Sequence, residues 1–104
     1  MDGMPAWYVY ILGSALADFT YVGSTNSLGR RIKEHNDGLV QSTKAYRPLH
    51  VLSYLAVATE EQARSLERYF KTGSGRAVLN KRILGRSTDR FHRVGPDRRS
   101  SEGA

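Results

Sequence analysis

Apolar and polar positions fall into short blocks along the chain. Trp7 to Leu12 is aromatic and β-branched, which reads as a buried strand. Gly13 to Phe19 is small and polar and can turn the chain; Thr20 to Ser24 then reads as a second strand, so 7–24 forms an antiparallel hairpin. Gly23 near its end has no side chain, a sign of a bulge or a close backbone approach. Residues 27 to 37 follow a helical period, with Asn26 or Ser27 as N-cap and Gly38 as the stop. Leu28, Ile32 and His35 share one face of that helix, Arg31 borders it, and Arg30, Lys33, Glu34 and Asp37 point away.

Residues 39 to 48 form a polar loop, in which Pro48 keeps residue 47 extended. Val51 to Ala58 is rich in β-formers and gives a third strand. A capping box at Thr59–Gln62 starts a second helix that runs to about Thr72, with Ala63, Leu66 and Phe70 as its apolar stripe. Glu67 falls inside that stripe, where a carboxylate is costly to bury unpaired. Gly73-Ser74-Gly75 reads as a helix stop, or as backbone amides that meet a phosphate. Arg76 to Leu84 makes a third helix, with Val78 or Leu79 and Ile83 inward. The order β-β-α-β-α-α predicts an α+β fold, a three-stranded antiparallel sheet flanked by helices. Residues 1–6 read as a lead-in, 7–93 as a single domain and 94–104 as a flexible basic tail.

Composition narrows the function. At 104 residues and 39% apolar content there is one core and no room for a second module. Cysteine is absent, which rules out disulfides and thiolate zinc sites. No N-terminal stretch has the form of a signal peptide and no apolar run would span a bilayer, so a cytoplasmic protein without membrane contact is expected. The net charge of +6 and pI of about 10 suit a polyanionic partner. All 16 Lys and Arg lie at or after Arg30, and the first 29 residues carry only Asp2 and Asp18. Taken alone, this charge also fits a merely solubilising surface.

The paired strands resemble the signature of the GIY-YIG endonuclease family. Tyr8-Val9-Tyr10 stands in place of GIY and Tyr21-Val22-Gly23 in place of YIG. The likeness runs from Trp7 to Leu84. It is strongest with small stand-alone bacterial members, which share a WYVYIL opening, an R-x-x-x-H pair and a GSGRA segment. On this resemblance the family tyrosines match Tyr10 and Tyr21, the helix arginine matches Arg31 and the histidine one turn later matches His35. The metal-binding glutamate matches Glu67, and Asn80 stands where several members have an asparagine. One departure is Tyr8 at the position of the opening glycine; it alters the local strand packing and keeps the catalytic tyrosine.

The resemblance implies a metal-dependent endonuclease acting on DNA, in repair or recombination. The expected cofactor is one divalent ion, Mg²⁺ or alternatively Mn²⁺. Phosphodiester hydrolysis needs a base, a cation at the phosphate and help for the leaving oxygen. Glu67 can hold a hard cation if water and phosphate complete its shell. Arg31 can grip phosphate bidentately. Tyr10 is the expected base, which requires a cation nearby to lower its pKa. Tyr21 would position water or phosphate, and His35 would share base duty or orient a tyrosine. Lys44, Arg47, Lys71, Arg76, Lys81 and Arg82, with Asn80, are expected to bind nucleic acid.

Each residue has a plainer role as well. Strand tyrosines usually pack, a histidine on a half-apolar face is often core, Arg31 can snorkel, and Glu67 can pair with Arg31 or Arg64. The expected partner is DNA, whether duplex, single-stranded or branched, and a domain that needs a protein partner for substrate choice is an alternative. The competing reading is a non-catalytic nucleic-acid-binding module of the same fold.

Overall fold

A computed structural model describes residues 5 to 86. The expected tail at 94–104, the end of the expected domain at 87–93 and the first residues of the lead-in lie outside the described residues. The elements run β1 (Trp7–Ser14), β2 (Thr20–Thr25), α1 (Leu28–Asn36), β3 (Leu49–Val57), α2 (Glu60–Phe70) and α3 (Gly73–Val78). The strands form one antiparallel sheet in the order β2-β1-β3, the α+β arrangement expected from the sequence. Among the described residues, no helix is long and apolar enough to cross a membrane.

β1 is the central strand, which explains its unbroken apolar run: both of its faces are covered. Val9 and Ile11 pack with Val22, Ala63, Phe70 and Leu79 under α2 and α3. Tyr10 and Leu12 point the other way, into a second cluster with Leu49 that Leu28 and Ile32 of α1 help to cover. Each fully buried aliphatic side chain contributes about 1.5–3 kcal/mol, so this double-faced strand is the main organiser of the fold. Asn36 fastens α1 to β3: its Nδ2 donates to the Leu49 carbonyl at 3.0 Å and its Oδ1 accepts from the Leu49 amide at 2.7 Å.

The hairpin register pairs Tyr10 with Gly23 and Leu12 with Tyr21. Residues directly opposite share a face, so Tyr10, Tyr21 and Gly23 belong to the α1 side, while Val22 and Ser24 belong to the α2 side. The close approach expected at Gly23 is present. A Cβ there would sit 2.4 Å from the Tyr10 hydroxyl oxygen, so the phenol lies directly over the glycine.

The capping box of α2 forms as the sequence indicates, with Thr59 and Gln62 satisfying each other's backbone amides. The third helix differs from expectation. It begins at Gly73, not Arg76, and Thr72 caps it by accepting from the Gly75 amide at 3.0 Å. Gly73-Ser74-Gly75 is therefore its first turn, not a stop. Gly75 is required by packing, because a Cβ would lie 1.7 Å from the Tyr69 carbonyl oxygen. The chain then widens into a π-helix over Leu79–Ile83, with Leu79 and not Val78 in the core. Leu39 and Val40 open a loop that curls through a short 3₁₀ turn at Lys44–Tyr46, and within it Thr43 is fully buried.

Candidate active site

β2 is an edge strand, and α1 and α2 flank it on opposite faces of the sheet. A cleft of about 360 Å³ runs along this edge and draws side chains from both faces. Tyr10, Tyr21 and Gly23 reach it from the α1 side, Ser24 and Glu67 from the α2 side, and Arg31 from α1 itself. Four of the five residues proposed for chemistry, Tyr10, Tyr21, Arg31 and Glu67, thus line one cavity. His35 does not. It is fully buried behind the tyrosines, its ring 5.6 Å from that of Tyr10 and 5.1 Å from that of Tyr21.

His35 links the cleft to the interior. Its Nε2 lies 2.9 Å from the Tyr10 hydroxyl and its Nδ1 2.8 Å from Thr43 Oγ1. Thr43 Oγ1 in turn lies 3.4 Å from the Val40 carbonyl, an acceptor for its own proton. We assign the proton of His35 to Nδ1, donated to Thr43, because this leaves Nε2 to accept from Tyr10 and satisfies all three groups. Burial, and then the Arg31 charge, hold the His35 pKa below its ordinary value, so the imidazole is neutral near pH 7. Thr43 gave no sign in the sequence: a threonine in a polar loop looks solvent-exposed until the loop folds back over α1.

Tyr10 departs from the expected lowering. Burial pushes its pKa up to about 12, and the nearby Arg31 guanidinium only partly offsets this. A cation is present, but desolvation wins. The resting phenol is neutral and its proton is aimed at His35.

Glu67 is paired, though with neither Arg31 nor Arg64. Ser24 Oγ donates to its Oε1 at 2.6 Å, and Lys71 Nζ donates to its Oε2 at 2.9 Å. Burial raises the pKa of Glu67, but Lys71 and Ser24 together outweigh it, so the carboxyl is held below the usual glutamate range and is ionised. Among the described residues no cluster of three or more His, Cys, Asp or Glu side chains is placed to hold a metal ion. The donor set at Glu67 still fits a hard cation. It is one ionised carboxylate beside open cleft volume, and water and phosphate oxygens can complete its shell. Glu34 is a second carboxylate in the cleft, contrary to the expectation that it points away, but both of its oxygens are engaged by Arg30 and Arg31.

None of the residues expected to bind nucleic acid lines the cleft; Lys71 comes nearest, its ammonium paired with Glu67 and 5.7 Å from the centre of the Tyr21 ring. Lys44 and Arg47 line a separate cavity beside Asn36 and Pro48. Arg76, Lys81 and Arg82 are exposed on α3 and the π-helix, and Asn80 is half-buried there; none of these lines the cleft. Besides Arg31, the cations that line it are Arg30, contrary to the expectation that it points away, and Arg64, which lies 5.9 Å from the centre of the Trp7 ring. Their nearness to Arg31 and Glu67 in helical spacing was the available signal.

Comparison with known proteins agrees with the geometry. The GIY-YIG catalytic domain family matches residues 6–82. UPF0213 protein YazA of Bacillus subtilis is 40% identical over 52 residues, 49% of this chain and 52% of that protein. UPF0213 protein H16_B0156 of Cupriavidus necator is 34% identical over 68 residues, 64% of this chain and 73% of that protein. The match to the Bacillus subtilis protein spans only about half of its length. Three-stranded antiparallel sheet, paired tyrosine strands and a family match over most of the chain lead to one conclusion: the protein belongs to the GIY-YIG nuclease family.

Proposed function

We propose that this protein is a metal-dependent endonuclease that hydrolyses DNA phosphodiester bonds, in DNA repair or recombination. The observation that carries the reading is the convergence of Tyr10, Tyr21, Arg31 and Glu67 on one cleft at the edge of β2. A packing role for each residue taken singly does not require that convergence.

The chemistry follows from the residues. Glu67 would hold one divalent ion, Mg²⁺ or Mn²⁺, which would supply Lewis-acid stabilisation of charge on the phosphate. Arg31 projects into the same cleft and offsets charge that develops on the non-bridging oxygens. Tyr10 takes a proton from the attacking water as its own phenolic proton passes to His35 Nε2, which gives an imidazolium. The phenol therefore never has to exist as a free phenolate, a state its burial opposes. The Nδ1–H bond to Thr43 keeps the His35 ring in the accepting tautomer. Tyr21 packs against His35 and supports Tyr10, and its hydroxyl is available to the phosphate or water.

The test is cleavage of labelled supercoiled, single-stranded, flap and junction DNA with Mg²⁺, Mn²⁺ or EDTA, for wild type and Glu67→Ala. Metal-dependent cleavage lost in the variant is the expected result. Salt-sensitive binding with no cleavage of any substrate would overturn the nuclease in favour of a binding module.

A further inference from the structure

We propose that Arg30 and Arg31 together form a phosphate-binding subsite whose place is held in the free protein by the Glu34 carboxylate, which an incoming phosphodiester displaces. The proposal rests on the nuclease reading and adds to it a second arginine and an internal competitor.

Glu34 spans the two arginines. Arg31 Nη1 donates to its Oε1 at 2.8 Å and Arg30 Nη1 to its Oε2 at 3.2 Å. All three side chains line the cleft that also holds Tyr10 and Glu67. A carboxylate and a phosphodiester each present two oxygens to guanidinium donors, so the anion that bridges Arg30 and Arg31 shows where a phosphate can bind both.

Helix stabilisation does not account for Glu34. It lies in the last turn of α1, where the helix dipole disfavours an anion. It also follows its arginines in sequence, the less favourable order for such pairs. Exposed pairs at these spacings contribute little in any case. The carboxylate does keep an otherwise uncompensated pair of adjacent cations from repelling each other while the cleft is empty. Once a phosphate sits between Arg30 and Arg31, Glu34 becomes a like charge beside it. It therefore weakens non-productive anion binding and raises the threshold for a ligand to engage Arg31. Arg30, 60% exposed at the rim, is free to swing with the ligand, whereas Arg31 at 35% is the more fixed of the two.

The experiment measures binding of labelled single-stranded and duplex DNA across a salt series in EDTA, with all proteins carrying Glu67→Ala so that nothing is cut. Arg30→Ala is expected to weaken binding several-fold and to reduce the salt slope by about one phosphate contact. Glu34→Gln, which keeps the side-chain shape, is expected to tighten binding about two- to fivefold, the scale of an exposed ion pair. In the cleavage-competent protein Glu34→Gln should lower KM with kcat retained. An unchanged slope in Arg30→Ala, or binding that is unchanged or weaker in Glu34→Gln, would overturn the subsite. A fall in kcat at unchanged KM would instead make Glu34 a positioning residue for Arg31 and likewise overturn it. If the parent protein binds no DNA at any salt concentration, the nuclease reading itself falls, a result distinct from both.

Discussion

The Tyr10 hydroxyl stands 2.9 Å from Nε2 of His35, which solvent does not reach, so the proposed base has a proton acceptor built in behind it. With the Tyr10 pKa at about 12 and that of His35 below its ordinary value, the two routes to a base predict different pH profiles. If the proton passes to His35, the cleavage rate rises with pH only below about 6.5, the reference histidine value, and is flat from there to pH 9. If Tyr10 must ionise by itself, the rate climbs about tenfold per pH unit across that range. A single-turnover pH–rate profile separates them, and the plateau is expected. Tyr10→Phe keeps the packing, removes the relay and should cost about 10²–10⁴-fold in rate.

The same histidine makes stability depend on acid. Its folded pKa is lowered, so the unfolded chain binds the proton more readily. The contribution is fully present above about pH 6.5 and is lost as pH falls through the folded pKa. Glu34 and Glu67, whose folded pKa values are also lowered, add a loss that begins only below about pH 4.5. Thermal melts between pH 7 and 5 should therefore show a fall in Tm that His35→Gln, though less stable throughout, largely lacks.

Gly23→Ala places a methyl 2.4 Å from the Tyr10 oxygen. The strand cannot yield without breaking the β1–β2 register, so the phenol must move. A stability loss of about 1–3 kcal/mol is expected, with a loss of cleavage much larger than the stability change explains. A variant that melts lower but cuts normally would show that Tyr10 tolerates displacement.

The two partners of Glu67 have opposite expected effects on metal. Ser24 Oγ orients the carboxylate, so Ser24→Ala should shift the Mg²⁺ titration to about tenfold higher concentration or more. Lys71 puts a positive charge on the same carboxylate, so Lys71→Met should shift the Mg²⁺ titration to lower concentration even if DNA binding weakens. Metal titrations of the cleavage rate at saturating DNA give both signs.

Gly75→Ala tests packing alone. Its Cβ would meet the Tyr69 carbonyl at 1.7 Å, in backbone that cannot rotate away. A loss of more than about 3 kcal/mol is expected, read as a fall in Tm.

Much of this was legible in the chain. The apolar run of Trp7 to Leu12 marks β1 as a buried strand, while its central place in the order β2-β1-β3 is set by which strands pair with it. The capping box sets the start of α2, because its bonds are local. The tyrosine motifs, Arg31 and Glu67 are singled out by the resemblance to the GIY-YIG family, and helical period adds only that Arg31 borders, and Glu67 falls within, an apolar helix face. What spacing does not carry is which faces meet. That the α1 and α2 faces of the sheet join around the edge of β2, so that Ser24, Arg30, Glu34 and Arg64 enter the cleft while Lys81 and Arg82 do not, depends on β2 lying at the edge of the sheet. The burial that raises Tyr10, the loop that brings Thr43 to His35, and Gly75 under the Tyr69 carbonyl are likewise properties of packing between segments remote in sequence or of their exact approach. Local chemistry is written in the sequence; desolvation, and with it the protonation state of the site, is decided only when the chain closes on itself.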